Sequence, residues 1–309
     1  MTIAFLFPGQ GAQTPGFLHR LPDHPAAAAT LREASAVLER EILALDEEAA
    51  LRSTVAVQLG LLVAGVAVAR ALADEGVVPA MVAGLSVGSF AAAVTAGAIG
   101  FADALRLVDR RARLMEQACP AGYGMVALTG LPQRRVEAIV AEAGTPLYLA
   151  NLDGPTEFVL SGADAALDRA IEAARLAGAR RAIRLAVAVP SHCPLMDGAA
   201  TALAAAAEAV PVAAPRMALV GNRRARMLRD ADAVREELTT NLAYPARWFD
   251  GVTLMAEYGA TTLLEMPPGD VLTQLATSAF PELTVRDLES LPLAGARIVA
   301  ARSEETMGR

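Results

Sequence analysis

The sequence contains no lysine, because all 27 of its basic residues are arginine. Phosphate-binding loops of the Walker type and enzymes that form a Schiff base both need lysine, so these two classes are ruled out. The two cysteines are too few for a disulfide framework or a cysteine-rich metal site. A net charge of −7 argues against a nucleic-acid-binding surface. We therefore expect no metal and no resident cofactor.

Aromatic residues make up only 4% of the chain and apolar residues 54%, which predicts a core of Ala, Val and Leu. No charged region precedes the first apolar run, unlike in a signal peptide. The apolar segment 54–69 is shorter than a membrane span and contains Gln58, so we expect a buried core helix. These absences predict a soluble cytoplasmic protein that binds neither membranes nor nucleic acid.

Short apolar runs alternate with helical patterns along most of the chain. We expect strands at 3–7 and 80–85, and helices at 26–44, 54–73 and 101–118, with another helix starting at Gly88. This order indicates an α/β fold with a mainly parallel sheet that is covered on both faces.

The pattern changes to β-α-β-β-α-β between residues 123 and 189, with the last strand predicted at 179–189. That order is typical of a ferredoxin-like unit. We therefore predict a large domain from residues 1–122 and 190–309, with a small subdomain, 123–189, inserted into it. The segment 301–309 is expected to be frayed.

The pentapeptide Gly84-Leu85-Ser86-Val87-Gly88 lies where a predicted strand meets a predicted helix. Gly-x-Ser-x-Gly in this context is typical of a nucleophile elbow, a tight turn that exposes a serine hydroxyl. A glycine-rich turn whose serine caps the next helix is the alternative.

A nucleophilic serine needs a base, and the chain has three histidines. His19 and His24 lie in a polar segment that is expected to be an exposed loop. His192 follows a buried strand, at the position where α/β enzymes collect catalytic groups, although it could instead be a structural residue. Cys193 is a weaker candidate nucleophile, because adjacent side chains rarely converge on one point.

Five separated motifs together resemble the malonyl-CoA:acyl-carrier-protein transacylase family. They are "FPGQGAQ", "GLSVG", "FADALRLVDRRARLM", "VPSHCPLM" and "YPARW", and the resemblance extends from Phe7 to about Leu275. Within that family, leucine before the serine and the segments 21–38 and 51–72 are most similar to the epsilon subunit of malonate decarboxylase. The resemblance implies an α/β-hydrolase-like core with a ferredoxin-like insertion.

The resemblance also implies a role for individual residues. Ser86 would be the acylated nucleophile and His192 its general base. The backbone N–H groups of Gln10 and Val87 would form the oxyanion hole. Arg111 would bind the free carboxylate of a malonyl group. The remaining site residues would be Asn241, whose backbone carbonyl orients the histidine, and the pocket residues Gln58 and Leu85.

Several positions depart from the family pattern. Leu85 replaces a histidine, Ser89 a glutamate, Glu157 a glutamine and Asn241 a glutamine, while "MPPGD" replaces the usual Gly-Pro-Gly. None of these positions belongs to the implied Ser-His-Arg set. The role implied for Arg111 also has a structural alternative, because an arginine in this helix could instead form a surface ion pair with Asp109 or Glu116.

The expected function is transfer of a malonyl group from malonyl-CoA through a malonyl-serine to the thiol of an acyl carrier protein, with other malonate decarboxylase subunits as further partners. The alternatives are a serine esterase or thioesterase, an acyltransferase of fatty-acid or polyketide synthesis, and a non-catalytic scaffold. Carrier proteins are usually acidic, so two arginine clusters are candidate docking sites: Arg180, Arg181 and Arg184, and Arg223, Arg224, Arg226 and Arg229.

Overall fold

The computed structural model describes residues 2–119, 121–187 and 189–305. In chain order its elements are β1 (Thr2–Phe7), α1 (Pro25–Leu38), α2 (Thr54–Asp74), β2 (Met81–Gly84), α3 (Gly88–Thr95), α4 (Phe101–Ala118), β3 (Tyr123–Thr129), α5 (Gln133–Ala143), β4 (Leu147–Gly154), β5 (Glu157–Ala163), α6 (Asp164–Leu176), β6 (Arg181–Arg184), α7 (Asp197–Ala207), β7 (Ala218–Val220), β8 (Met227–Leu228), α8 (Ala231–Thr240), α9 (Trp248–Glu257), β9 (Ala260–Glu265), α10 (Val271–Ala279), β10 (Thr284–Asp287) and α11 (Leu293–Glu305).

The larger sheet has the strand order β10-β9-β1-β2-β7-β8. All neighbouring strands are parallel except β7 and β8, which are antiparallel. Parallel strands place their carboxyl ends at one edge of the sheet, and ligands of open α/β sheets bind outside that edge. The ends of β1, β2 and β7 are therefore the part of this sheet to inspect for a site.

The smaller sheet is antiparallel and has the order β4-β5-β3-β6. Together with α5 and α6 it gives the β-α-β-β-α-β unit that the sequence predicts, so the predicted fold class is confirmed. The main chains of Leu152 and Ala150 bond to Ala246, before α9, with N···O distances of 2.9 and 2.8 Å. These bonds join β4 to the larger unit, and the two sheets enclose a cleft.

Three predicted boundaries were wrong. The strand predicted at 179–189 ends at Arg184, because the chain leaves the ladder and Leu185 and Val187 pack beside Met125 instead. The first helix ends at Leu38 rather than residue 44, since Glu39 adopts a left-handed φ of 52°. The frayed segment expected to begin at residue 301 does not begin there, because α11 continues to Glu305, and residues 306–309 lie outside the described residues.

Helix α2 is the centre of the main core. Its length and composition would allow it to cross a membrane, but 94% of its most apolar window is buried inside the protein. A helix that is apolar on nearly all sides needs apolar neighbours around it, and α2 packs against α1, α3 and α4. Thr54–Asp74 is thus a core helix, as the interruption by Gln58 suggested.

Candidate active site

The turn between β2 and α3 brings Ser86 to the edge of the larger sheet. Ser86 has a φ of 55°, a left-handed conformation that is uncommon for residues other than glycine. A Cβ at Gly84 would overlap the backbone of Gly88, and one at Gly88 would overlap the carbonyl of Phe7. Both glycines are therefore required for the close approach of strand, turn and helix.

The carboxamide of Asn222, just after β7, bridges the two sides of this turn. Its Oδ1 accepts a hydrogen bond from the Ser86 backbone N–H at 2.7 Å, and its Nδ2 donates to the Gly84 carbonyl at 2.7 Å. Asn222 is 3% exposed, so these bonds are shielded from water. The sequence analysis missed this residue, because its position two residues after β7 does not reveal its contact with the elbow.

His192 is held by backbone carbonyls on one side of its ring. Nδ1 lies 2.8 Å from the carbonyl oxygen of Asn241 and 3.1 Å from that of Tyr244. Because a carbonyl can only accept, Nδ1 carries the proton and Nε2 is the unprotonated nitrogen of the neutral ring. Burial, together with the charge of Arg111, lowers the pKa of His192 to about 4. The imidazole is therefore a neutral base at physiological pH.

Arg111 projects from α4 into the interior, where its side chain is fully buried. Its Nη1 donates to Gln58 Oε1 at 2.6 Å and its Nη2 to Ser86 Oγ at 3.1 Å, with Asn241 Oδ1 at 3.5 Å. These partners are all neutral. Burial lowers the pKa of Arg111 to about 9, and the buried Nε has no partner among the described residues. Among the residues that the structure describes, this cation therefore has no countercharge.

The cleft brings most of the predicted residues together. Gln10, Gln58 and Leu85 line it together with Ser86, Val87 and His192. Neither the N–H of Gln10 nor that of Val87 donates a hydrogen bond within the described part of the chain. Gly9 permits this approach, since a Cβ there would lie 2.9 Å from the Leu85 carbonyl oxygen. Two free N–H groups beside a serine hydroxyl are what an oxyanion hole requires.

Asn241 lies behind the elbow, where its side chain contacts Arg111, Ser86 and Ser89. Its Nδ2 donates to the Ser86 carbonyl at 3.2 Å and lies 3.4 Å from Ser89 Oγ. The opposite wall of the cleft comes from the smaller sheet and includes Met125, Asn151 and Val159. These wall residues were not predicted from the sequence, because they meet the elbow only through the packing of the two sheets.

Other candidates lie elsewhere or are already engaged. His19 bonds Asp46, and His24 caps α1 by accepting from the N–H of Ala26. Cys193 is buried, with Sγ 3.2 Å from the Pro190 carbonyl oxygen, and burial raises the pKa of its thiol. Glu157 lines a separate groove with Arg180 and Arg181 rather than the cleft. Within the described ranges no group of three or more His, Cys, Asp or Glu is placed to hold a metal ion.

The two arginine clusters differ in how they are neutralised. In the first, Arg184 pairs with Asp164 and Asp168, and Arg180 lies 3.9 Å from Glu157. In the second, the single carboxylate of Glu236 pairs with three arginines, Arg223, Arg224 and Arg226. The guanidinium of Arg223 also stacks on the ring of Tyr244 at 3.6 Å. Both clusters stay candidate docking sites.

The arrangement is suited to acyl transfer to and from a serine. It combines a partly buried serine hydroxyl, a neutral imidazole in the same cleft, two N–H donors without a partner among the described residues, and a buried cation beside the hydroxyl. A nucleophile and a base allow an acyl-serine to form, and the N–H donors stabilise the tetrahedral oxyanion. A buried cation at this place can pair with an acyl group that carries a negative charge of its own.

Comparison with known proteins points to the same chemistry. The model of the acyl transferase domain family matches residues 4–302. The malonyl CoA-acyl carrier protein transacylase of Escherichia coli is 39% identical over 293 residues, which cover 92% of this chain and 95% of that protein. The acyl carrier protein S-malonyltransferase of Vibrio cholerae superposes with a TM-score of 0.90 at 34% identity and covers 97% of this chain and 100% of its own. A malonyl-transacylase solved in complex with its type II polyketide-synthase acyl-carrier protein has a TM-score of 0.91 at 36% identity, with 95% and 97% covered.

Proposed function

Because this chain belongs to the malonyl-CoA:acyl carrier protein transacylase family of acyl transferases, we propose that it transfers malonyl groups from malonyl-CoA to the thiol of an acyl carrier protein. The intermediate is an O-malonyl ester on Ser86. The relatives named above support the donor and the acceptor, and the cleft supports the serine intermediate. No cofactor takes part in this proposal, because the donor thioester and the carrier thiol supply all reacting atoms.

The reaction proceeds in two mirror-image half-reactions. His192 Nε2 takes the Ser86 proton, the oxygen attacks the thioester carbon, and the N–H groups of Gln10 and Val87 bind the oxyanion. The C–S bond then breaks, and CoA leaves as a thiol with the proton from His192. The carrier thiol next loses its proton to His192 and attacks the malonyl ester, and Ser86 recovers its proton. Loss of one oxyanion donor costs about 3–4 kcal/mol in such reactions.

The observation that carries the proposal is the environment of Arg111. A fully buried guanidinium with only neutral partners is unfavourable unless a ligand supplies the countercharge. The malonyl group carries a carboxylate close to its reacting carbonyl, and Arg111 reaches the attacking oxygen at 3.1 Å. A hydrogen bond to a charged group contributes about 1.5–3 kcal/mol. An acetyl group cannot form that bond and would leave the cation unpaired.

The alternatives have less support. A serine esterase or thioesterase would use water as the acceptor, and nothing in its chemistry needs an uncompensated cation beside the nucleophile. A non-catalytic scaffold would not need a neutral histidine in the cleft with the nucleophile. Acyl transfer in fatty-acid or polyketide synthesis uses the same site, and it differs from our proposal only in the carrier protein.

For the carrier, we propose the carrier subunit of malonate decarboxylase, with the other subunits of that complex as neighbours in the cytoplasm. Support comes from Leu85 and Ser89, which depart from the transacylase pattern at the elbow. Leu85 lines the cleft, and Ser89 Oγ donates to the Gly84 carbonyl at 2.9 Å, where it stabilises the turn. The test is the ratio of kcat/KM for that carrier and for a fatty-acid acyl carrier protein. A ratio below one would reject the assignment.

The proposed activity is tested by incubating the purified protein with malonyl-CoA and measuring its intact mass. The wild type should gain one malonyl group, and Ser86→Ala should gain none. Addition of a holo acyl carrier protein should then move the group to the carrier. Release of free CoA without an adduct or a malonylated carrier would instead identify a hydrolase, and absence of both CoA and adduct would reject catalysis altogether.

A further inference from the structure

The conformation of Ser86 needs a restraint that the turn itself does not supply. A left-handed φ of 55° is unfavourable for serine, and such residues persist only where their surroundings hold them. The Gly88 N–H closes the turn on the Leu85 carbonyl at 2.9 Å, but no bond within the pentapeptide engages the Ser86 N–H. The restraint must come from groups outside the pentapeptide.

Asn222 makes the contacts that such a restraint requires. Its carboxamide accepts a hydrogen bond from the Ser86 N–H and donates one to the Gly84 carbonyl, both at 2.7 Å. It therefore links the two residues that flank Leu85. The geometry fixes the peptide that enters Ser86. With that N–H engaged, the next one along the chain, that of Val87, is left to face the cleft.

Asn222 is itself anchored from α8. Glu237 Oε1 accepts the backbone N–H of Asn222 at 2.7 Å, and Oε2 lies 3.4 Å from the N–H of Arg223. Glu237 is buried, with 5% exposure. The carboxylate thus fixes the main chain at residue 222, and the carboxamide transmits that position to the elbow.

We propose that Asn222 is a positioning residue for the acylation of Ser86, anchored by Glu237. Its carboxamide holds the elbow so that the Ser86 hydroxyl and the Val87 N–H face the same reacting carbonyl. The proposal rests on the proposed function for its substrate, but the positioning concerns any electrophile that Ser86 attacks. It can therefore be tested with a reagent that is not a malonyl donor.

The experiment uses the full chain with Asn222→Ala and Asn222→Asp, and two electrophiles. Malonyl-CoA measures acylation, and diisopropyl fluorophosphate measures attack by the same oxygen, with an O–P bond formed, fluoride released and the proton taken by His192. Single-turnover rates are followed by intact mass, and the melting temperature of each variant is recorded. Asn222→Ala should slow both reactions about 10-fold to 100-fold, as expected for two lost hydrogen bonds.

Asn222→Asp provides a signature that a purely structural role would not produce. A protonated aspartic acid can accept from the Ser86 N–H and donate to the Gly84 carbonyl as asparagine does, whereas the carboxylate cannot donate. The rate relative to wild type should therefore rise about tenfold between pH 8 and pH 5, because burial raises the pKa of an aspartic acid. The neighbouring charged or ionisable groups, Glu237, Arg223 and His192, are the same in Asn222→Ala, whose relative rate should not depend on pH.

Three results would overturn the proposal. Asn222→Ala could react within twofold of wild type, or the relative rate of Asn222→Asp could be flat with pH. Failure of both variants to fold would show that Asn222 serves the fold instead. If the wild type reacts with the fluorophosphate but not with malonyl-CoA, the proposed function fails, and the fluorophosphate rates still decide the role of Asn222.

Discussion

The inner and outer faces of α4 carry two arginines in opposite environments. Arg111 is fully buried and bonds only neutral groups, and burial lowers its pKa to about 9. Two residues later, Arg113 lies at the surface with both oxygens of Asp109 at 2.7 and 3.0 Å from its nitrogens. That hydrogen-bonded ion pair raises the pKa of Arg113.

The difference separates an arginine in a surface ion pair from one that is a candidate for substrate binding. An exposed pair of this kind contributes little, about 0.3–0.5 kcal/mol, and needs no functional explanation. A buried cation without an acid has a cost that the protein could have avoided with an apolar residue. Its retention next to a nucleophile is understandable if a carboxylate substrate completes the ion pair. The surface ion pair considered for this helix is therefore formed by Arg113, not by Arg111.

The largest effect is expected for Arg111→Ala. Loss of two hydrogen bonds to a carboxylate, at about 1.5–3 kcal/mol each, should slow malonylation by a factor of about 100 or more. Single-turnover loading followed by intact mass measures it. Labelling by diisopropyl fluorophosphate is the control, since that neutral reagent does not need the arginine. Malonylation within threefold of wild type would remove the basis for assigning Arg111 to the substrate.

Gln58→Glu should give Arg111, on the inner face of α4, a carboxylate partner like the one that Arg113 has on the outer face. A glutamate at this position would offer Arg111 the carboxylate that its present partner, Gln58 Oε1 at 2.6 Å, does not. It would also repel the malonyl carboxylate, so we expect the KM for malonyl-CoA to rise about 10-fold to 100-fold. Gln58→Met is the matched variant without added charge and should raise it less. Equal effects of both changes would contradict the role of charge.

The acid limb of the pH–rate profile, where protonation of His192 stops the reaction, should move when the buried charge of Arg111 is removed. With the pKa of His192 lowered to about 4, the base stays neutral well below its ordinary pKa of 6.5. Arg111→Gln removes a neighbouring positive charge, so the pKa should rise and the limb of fluorophosphate labelling should move up by about 1 pH unit. The lowered pKa of His192 also makes the free energy of unfolding depend on pH. Between pH 6.5 and 4 only the unfolded chain binds this proton, so the protein becomes less stable as the pH is lowered through that range. If the pH at which labelling falls off does not change in Arg111→Gln, the charge of Arg111 does not influence the pKa of His192.

Arg113→Ala should have the smallest effect. The pair with Asp109 is exposed and lies on one helix, so the free energy of unfolding should change by no more than about 0.5 kcal/mol. Loading should stay within twofold of wild type, which single-turnover mass measurements would show. A loss comparable to that of Arg111→Ala would mean that the two faces of α4 do not act separately.

The local features of the fold and site were predictable from the sequence. The two glycines around Ser86 and the order of strand and helix predicted the elbow. Helical periodicity alone also favours Arg111 over Arg113, since it follows Val108 by three residues and precedes Met115 by four.

The long-range features were not predictable. Asn222 lies 136 residues from Ser86 in the sequence, and only the pairing of β7 beside β2 brings them together. The strand β6 stops early because Leu185 and Val187 pack on the cleft wall, a tertiary preference that its apolar pattern did not reveal. The absence of an acid at Arg111 is likewise a property of packing, because Asp109 and Glu116 are both near it in the sequence.

The most direct test of the central claim compares malonyl-CoA with acetoacetyl-CoA, in which a neutral acetyl group replaces the carboxylate of the malonyl group at similar size. Single-turnover loading of Ser86 is measured for both thioesters with the wild type and with Arg111→Gln. The buried cation predicts a preference of about 100-fold or more for malonyl-CoA in the wild type, and a preference near one in the variant. Equal loading of the two thioesters by the wild type would contradict the claim that Arg111 is there to bind the carboxylate.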